Sequence, residues 1–342
     1  MKMLIQKEKD YRIYSIDSLK GIAMIMIIIT HYSWSGNWRN NPIFPFVIDL
    51  AVPVMMFCTG CLWAIRCQEQ DIYDDIRNIK KIVRLAIPYI PIFAFEVYMG
   101  FSSGNVKTLI EVVNLFVVGG YGPGAYYFPV MIQIIFLFPL IYGFVSRRGG
   151  IIICFLFNLL FELCKNAFYV SEETYRLCSF RYTFVIACGC YCYLNRNEIR
   201  NNWKSKRNSV LLGALCMLLI GGCYILITSY GFYNPIILNY WTGTSLLSTF
   251  YIIPFVLAFI CFSPRIRLFE MVGKWSWGIF LIQKVFYYYF SSFLYERLNR
   301  TWKRLTINLI IIVVLGTIYE KSCLSLRKKI GKILNSRYFH NK

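Results

Sequence analysis

The chain has 342 residues, of which 57% are hydrophobic and only 16% are charged. Soluble domains carry roughly 25% charged residues, so this composition excludes a soluble enzyme and indicates a membrane protein. The net charge of +20 comes from residues that lie between long apolar runs. It therefore favours basic loops against anionic membrane lipid, and we do not expect nucleic acid as a partner.

A bilayer core about 30 Å thick requires roughly 17–25 apolar residues per transmembrane helix. About ten segments fit this requirement and predict an all-α, polytopic membrane fold. They lie near 17–35, 46–65, 82–101, 126–145, 150–165, 179–194, 209–230, 245–262, 275–294 and 305–324. The segment 108–118 is too short to cross and contains Glu111, which favours an interfacial or re-entrant position.

The distribution of Lys and Arg predicts which ends of the chain face the cytoplasm. With a cytoplasmic N-terminus, the inner segments hold 26 of these residues and the outer loops hold 9. Because short cytoplasmic loops are enriched in Lys and Arg, both termini are predicted to be cytoplasmic. The predicted organisation is a basic N-terminus at 1–16, a membrane domain at 17–324 and a basic tail at 325–342.

The 13 cysteines lie mostly inside apolar stretches and are expected to be buried free thiols. The closest group is Cys188, Cys190 and Cys192. A helix would turn Cys190 away from the other two, and a zinc site would need further ligands, so no metal is expected.

Ionisable residues inside a membrane are costly and are functional candidates by default. The first predicted span has Asp17 and Lys20 at its inner end and His31 near its outer end. Eleven helical steps turn through about 1100°, only ~20° past three full turns, so Lys20 and His31 share one helix face about 16 Å apart. The alternative is that Lys20 snorkels beside Asp17 while His31 is a wetted interfacial residue.

At these residues the sequence resembles the acyltransferase-3 family of polytopic membrane enzymes. The first span matches the family's opening pattern of an Asp, a basic residue, ten residues and a His. Further motifs similar to those of the family follow in the same order: AVPVMMFCTGCLW, KKIVRLAIPY, GAYYFPVMIQIIFLFPLIY and GKWSWGIFLIQ. The resemblance implies O-acyl transfer, with acetyl as the usual group, from cytoplasmic acyl-CoA to an extracytoplasmic sugar or polysaccharide. It also implies a location in the bacterial plasma membrane.

The sequence departs from the family pattern at several positions. Lys20 stands where the family usually has Arg, and Thr59 stands where it has Ser. Gln283 occupies the place of a second His that many members carry, and Lys284 follows it. These departures leave the substrate subgroup open.

Acyl transfer to a hydroxyl requires a base that titrates near neutral pH, and His31 is the intramembrane imidazole. We therefore expect His31 to be the general base, with Asp17 and Lys20 as further catalytic candidates at the inner end of the span. Lys20 is also expected to help hold the acyl-CoA donor. Lys81 and Arg84, one turn apart at the cytoplasmic start of the third span, are predicted to bind the phosphates of acyl-CoA. The alternative for this pair is a basic collar on anionic lipid.

Glu96, well inside the third predicted span, is expected either to orient His31 or to pair with a buried cation. The acceptor path is predicted to involve Tyr126, Tyr127, Gln133 and Gln283. The rival function class is a transporter or exporter of a polysaccharide or small molecule, which would also have about ten spans and a few charges near the midplane. Transporters commonly contain inverted repeats, and no repeat is evident in this sequence.

Overall fold

The computed structural model describes residues 2–32, 40–69, 75–230, 242–262, 266–290 and 301–339. These residues form helices and no strand, which confirms the predicted all-α class. In chain order, the α-helices of this part of the chain are α1 (Lys2–His31), α2 (Ile43–Phe46), α3 (Ala51–Glu69), α4 (Asp75–Ser102), α5 (Leu109–Val118), α6 (Tyr127–Val145), α7 (Gly150–Ala167), α8 (Glu172–Leu177), α9 (Thr183–Leu194), α10 (Arg196–Ser205), α11 (Arg207–Ser229), α12 (Leu246–Phe262), α13 (Arg267–Lys274), α14 (Ser276–Val285) and α15 (Thr301–Phe339).

Shorter helical turns connect some of these elements. One is a π-helical turn that continues α14, and the others are 3-10 turns. The turns are Ile48–Leu50, Ser179–Tyr182 and Thr242–Thr244, with the π-helical turn at Phe286–Phe290.

Six helices of the described residues are long and apolar enough to cross a membrane. They are Tyr14–His31, Ile43–Gln68, Asn78–Ser102, Tyr127–Val145, Arg207–Ser229 and Trp302–Arg327. Each coincides with one of the predicted spans, so six of these spans are supported as candidate membrane helices. The count of ten and the cytoplasmic location of both termini stay predictions.

The other four predicted spans also fall on helices. The segment 150–165 coincides with α7, and 245–262 coincides with α12. The segment 179–194 divides into a 3-10 turn and the 12-residue α9, which is only about 18 Å long. Within 275–294, α14 and the π-helical turn occupy 276–290, and the last residues lie outside the described part.

The chain divides into two compact units. The first contains the described residues of Met1–Thr30, Gly36–Ile72 and Phe138–Lys274, and the second contains those of His31–Ser35, Tyr73–Leu137 and Trp275–Lys342. Because α1 ends at His31, the final residue of that helix belongs to the second unit. The boundary between the units therefore separates two predicted site residues, Asp17 and Lys20, from His31.

In the first unit, reciprocal glycines bring the main chains of α3 and α9 into contact. A Cβ at Gly60 would meet the carbonyl of Ile186, and a Cβ at Gly189 would meet the carbonyl of Phe57. The thiol of Cys61 donates a hydrogen bond to the Gly189 carbonyl at 3.1 Å. Transmembrane helices associate through such close approaches, because lipid supplies no hydrophobic driving force between them. The described cysteines are free thiols.

In the second unit, a similar approach joins α14 to α15. A Cβ at Gly278 would lie 2.6 Å from the carbonyl oxygen of Gly316, and a Cβ at Gly316 would collide with the main chain of Ile279. These two glycines therefore place α14 directly on the surface of α15. The position of α14 matters because it carries Gln283 and Lys284.

Helix α4 of the second unit contains Pro88 and Pro91, which remove main-chain donors from the helix interior. Two side chains from neighbouring helices contact the carbonyl groups of this region. The indole Nε1 of Trp277 donates to the Leu85 carbonyl at 3.1 Å, and the Tyr319 hydroxyl donates to the Pro88 carbonyl. Neighbouring helices commonly satisfy main-chain groups near a proline in this way, and here they attach α4 to α14 and α15.

The predicted short segment 108–118 is the helix α5, which begins with a capping box. The Thr108 hydroxyl accepts from the Glu111 N–H, while the Glu111 carboxylate accepts from the N–H groups of Lys107 and Thr108. These main-chain donors lower the pKa of Glu111. Glu111 thus caps the N-terminus of α5, which explains why this apolar segment contains a charged residue. Gly119 ends the helix with a φ of +89°.

Candidate active site

The imidazole of His31 contacts α14 in the second unit. Its Nδ1 atom lies 3.0 Å from the side-chain amide nitrogen of Gln283. Gln283 is fully buried, and its Oε1 atom has no hydrogen-bond partner among the described residues. The position that differs from many family members therefore lies directly beside the predicted base.

The Gln283 amide can hold either neutral tautomer of His31. An amide N–H donating to Nδ1 leaves the proton on Nε2, whereas the amide oxygen accepting from Nδ1–H leaves a lone pair on Nε2. Only the second arrangement allows Nε2 to accept a proton. Gln283 is thus placed to set which ring nitrogen of His31 acts as a base.

A glycine-rich loop between α5 and α6 borders His31. This loop has the sequence GGYGPG at 119–124, and all four of its glycines have positive φ values between +85° and +95°. A Cβ on Gly124 would lie 3.5 Å from Cε1 of His31 and 2.9 Å from Cζ of Phe280. The main chain of the glycine-rich loop is therefore so close to the imidazole that a side chain at Gly124 would contact it.

A buried ion pair lies on the same glycine-rich loop. Lys284 Nζ is 2.9 Å from Glu96 Oε1 and 2.8 Å from the carbonyl oxygen of Gly119. The exposed fractions of the two charged side chains are 1% and 0%. Of the two roles expected for Glu96, the structure shows pairing with a buried cation.

Aromatic side chains surround this region. The ring of Tyr127 lies 5.0 Å from that of Phe280, which stacks on Trp277 with ring centroids 5.7 Å apart. Tyr121 in the glycine-rich loop stacks on Tyr288 at 5.3 Å, and burial raises the pKa of Tyr121. The Tyr121 hydroxyl therefore stays neutral at physiological pH and supplies no charge to the site.

The predicted acceptor residues at the start of α6 and within it have different environments. Tyr126 and Tyr127 are buried, and the contact of Tyr127 with Phe280 places it near the loop and His31. Gln133, about 9 Å further along the helix axis, has an exposed side chain. The structure thus brings Tyr127 and Gln283 to the surroundings of His31 and places Gln133 on an exposed part of α6.

The predicted donor residues Lys81 and Arg84 lie on α4 in the second unit, and Arg84 is the more exposed of the two. The next residue, Leu85, accepts the hydrogen bond from Trp277. Since Trp277 stacks on Phe280 beside the loop, this turn of α4 is connected through aromatic packing to the surroundings of His31.

Asp17 and Lys20 belong to the first unit and form an ion pair 3.2 Å long. Their helix packs there on α13, because a Cβ on Gly273 would collide with the Asp17 carbonyl. Both side chains are about one-fifth exposed. The pairing one turn apart that the sequence suggested is present.

Two features of the site were missed by sequence reasoning. From the sequence, Lys284 was noted only as the residue that follows Gln283. A lysine in an apolar helix requires a partner, and Glu96 is one of several acidic residues within other predicted spans. The glycine-rich loop was also missed. Its signal was GGYGPG, since clustered Gly and Pro mark a turn that requires positive φ values.

Comparison with known proteins identifies the family. The model of the acyltransferase domain family, acyltransferase-3, matches residues 13–319. The chain belongs to this family. This acyltransferase-3 protein is thus a membrane acyltransferase, and the predicted resemblance is confirmed over nearly the whole chain. No curated protein and no solved structure matched it.

Proposed function

We propose that this acyltransferase-3 protein transfers an acyl group, acetyl in the simplest case, from cytoplasmic acyl-CoA to a hydroxyl of an extracytoplasmic sugar or polysaccharide. The observation that carries the proposal is the environment of His31. This imidazole ends an apolar helix, is held by a buried amide, and borders a glycine-rich loop. No metal has a part in the proposed reaction.

His31 acts as the general base. The acceptor hydroxyl gives its proton to Nε2 of His31 as its oxygen attacks the carbonyl carbon of the thioester. The tetrahedral intermediate then loses the CoA thiolate as the carbon–sulfur bond breaks, and the proton passes from His31 to that thiolate. The products are the O-acyl ester and free CoA, and the enzyme returns to its starting state.

Gln283 keeps His31 in the required tautomer once its amide group is rotated by half a turn, so that the amide oxygen takes the place of the nitrogen and accepts the Nδ1–H. This role is supported by the 3.0 Å contact of the Gln283 amide nitrogen with Nδ1 and by the burial of the Gln283 side chain. Tyr126, Tyr127 and Gln133 form the acceptor path, and the contact of Tyr127 with Phe280 supports its part in it.

Lys81 and Arg84 bind the phosphates of acyl-CoA at the cytoplasmic side. Their spacing of one turn gives two adjacent cations, which suits a polyanionic donor. Lys20, paired with Asp17, contributes a further cation on the helix that ends at His31. This assignment requires both termini to be cytoplasmic, in agreement with the Lys and Arg distribution.

Radiolabelled acetyl-CoA supplied to inside-out plasma-membrane vesicles tests the proposal. In such vesicles the cytoplasmic face is outermost, so the donor reaches Lys81 and Arg84 while the acceptor lies in the lumen. We expect label in the polysaccharide fraction of the lumen that mild alkali releases, as it does from an O-acyl ester. His31→Ala, at equal protein level, should reduce this incorporation by roughly 10²–10⁴-fold, the usual contribution of a positioned base.

Two outcomes would contradict the proposal. Incorporation that is unchanged in His31→Ala would exclude this histidine as the base. Accumulation of unmodified labelled donor in the lumen, without label on any hydroxyl, would indicate a transporter instead of a transferase.

A further inference from the structure

Two consecutive residues of α14 contact different parts of the candidate active site. Gln283 contacts His31, while Lys284 contacts Glu96 and the carbonyl of Gly119. We propose that the Glu96–Lys284 pair is a positioning device that locks the glycine-rich loop against His31 and thereby controls the transfer step. This inference rests on the proposed function for its catalytic consequence, but not for the locking of the loop.

The pair holds the glycine-rich loop through two hydrogen bonds, one donated by Lys284 and one accepted by Glu96. Lys284 Nζ donates to the carbonyl oxygen of Gly119 at 2.8 Å. The carboxylate of Glu96 accepts a hydrogen bond from the main-chain N–H of Tyr121. The carbonyl before Gly120 and the N–H after it are thus each held by a buried charge, and charge-assisted hydrogen bonds of this kind are stronger than neutral ones.

Gly120 fits between the two charged groups only because it has no side chain. A Cβ at this position would collide with Glu96 Oε2 and would lie 2.6 Å from Lys284 Nζ. Its φ of +95° is also a conformation that favours glycine. The sequence of the glycine-rich loop is therefore matched to the ion pair on steric and conformational grounds.

The loop continues from the ion pair to His31 along one face of α14. A Cβ on Gly122 would lie 2.8 Å from the carbonyl oxygen of Lys284, and a Cβ on Gly124 would lie 2.9 Å from Cζ of Phe280. Phe280 and Lys284 are one turn apart, so the loop follows that face closely. Gly124 then borders Cε1 of His31. A shift at Gly120 would therefore displace main chain beside the imidazole.

Both charges are shielded from water, so each needs the other. Removing one partner leaves an uncompensated buried charge, whereas removing both leaves none. A pair that serves only to neutralise charge would tolerate exchange of its members. A pair that holds the loop by hydrogen bonds would not tolerate this exchange. A carboxylate at 284 would face the Gly119 carbonyl, so two acceptors would meet, and an ammonium at 96 would face the Tyr121 N–H, so two donors would meet.

The test uses Glu96→Gln, Lys284→Met, the exchange variant Glu96→Lys with Lys284→Glu, and Gly120→Ala, each in lipid nanodiscs. Hydrogen exchange of peptides covering 119–126, measured without substrate, reports the loop. We expect exchange to rise about tenfold in that region in all four variants, since local opening becomes easier. We also expect kcat to fall by roughly 10–100-fold, because small displacements at a reacting centre have effects of this size. KM for acetyl-CoA should stay nearly constant.

Glu162→Gln is the matched control. Glu162 forms a largely buried pair with Lys165 in the first unit, 3.1 Å long, and also accepts from the Tyr175 hydroxyl. Its loss removes a comparable buried carboxylate, yet we expect exchange in 119–126 to remain at the parental level. Gly120→Ala retains both charges, so it tests the lock even if a charge variant does not fold.

Restored loop protection and kcat in the exchange variant would overturn the lock, since charge neutralisation would then suffice. Increased exchange spread evenly over α4, α14 and α15 would also overturn it, because the pair would then stabilise the fold as a whole. A parent protein without transferase activity would overturn the proposed function alone. The exchange measurements would still decide whether the pair holds the loop.

Discussion

The side-chain amide of Gln283 lies 3.0 Å from the Nδ1 atom of His31, although 252 residues separate the two in the chain. The contact joins the end of α1 to a buried face of α14. It gives the predicted base a buried amide neighbour that can hold either neutral tautomer, and the tautomer decides which ring nitrogen accepts a proton.

Replacement of Gln283 tests this contact. We expect Gln283→Leu to lower kcat by roughly 10–100-fold, because the imidazole loses the group that fixes its orientation, a contribution typical of positioning. Gln283→His should retain most of the activity, since an imidazole can also accept from Nδ1–H and many family members carry His here. Steady-state kinetics on purified protein measures both, and full activity of Gln283→Leu would contradict the assignment.

Simultaneous replacement of Lys81 and Arg84 by Gln tests the donor site. Loss of two cations should raise KM for acyl-CoA at least about tenfold at low salt and leave the amount of inserted protein unchanged. The matched control is Arg147→Gln with Arg148→Gln, which removes two exposed cations from another predicted cytoplasmic turn. Equal effects of the two double variants on donor KM would identify the Lys81 pair as a basic collar on lipid.

Lys20 permits a graded substitution at the inner end of α1. Lys20→Arg preserves the charge beside Asp17 and restores the residue that the family usually carries, so we expect activity to persist. Lys20→Ala should mainly raise the acyl-CoA concentration required, with kcat changed less than KM, because the proposed role is in donor binding. A Lys20→Ala variant that lost kcat alone would place this residue in the chemical step instead.

The orientation of the chain can be measured directly. A reporter that is active only outside the cytoplasm, fused after Lys342, should stay silent, and a cytoplasmic reporter at the same position should be active. A second fusion after Gly149, in the predicted cytoplasmic turn between α6 and α7, should give the same pair of results. External activity at either point would contradict the predicted topology and, with it, the cytoplasmic access of Lys81 and Arg84.

The sequence alone determined the all-α class, and six of its ten predicted spans coincide with helices long and apolar enough to cross a membrane. The run of apolar residues at each span is a local property, because a helix satisfies its own main chain wherever it lies in the bilayer. The same locality explains why the pairing of Asp17 with Lys20 could be inferred. Residues three positions apart on a helix are neighbours in any fold.

The tertiary structure alone decided which intramembrane groups meet. Lys284 and Glu96 are 188 residues apart, and Lys284 and Gly119 are 165 apart. Helical periodicity defines the face of each residue on its own helix but not the helix that packs against that face. That choice depends on small residues at the crossings, such as Gly278 and Gly316, and on the positive φ values of the glycine-rich loop. These long-range contacts turn an isolated histidine into a candidate active site.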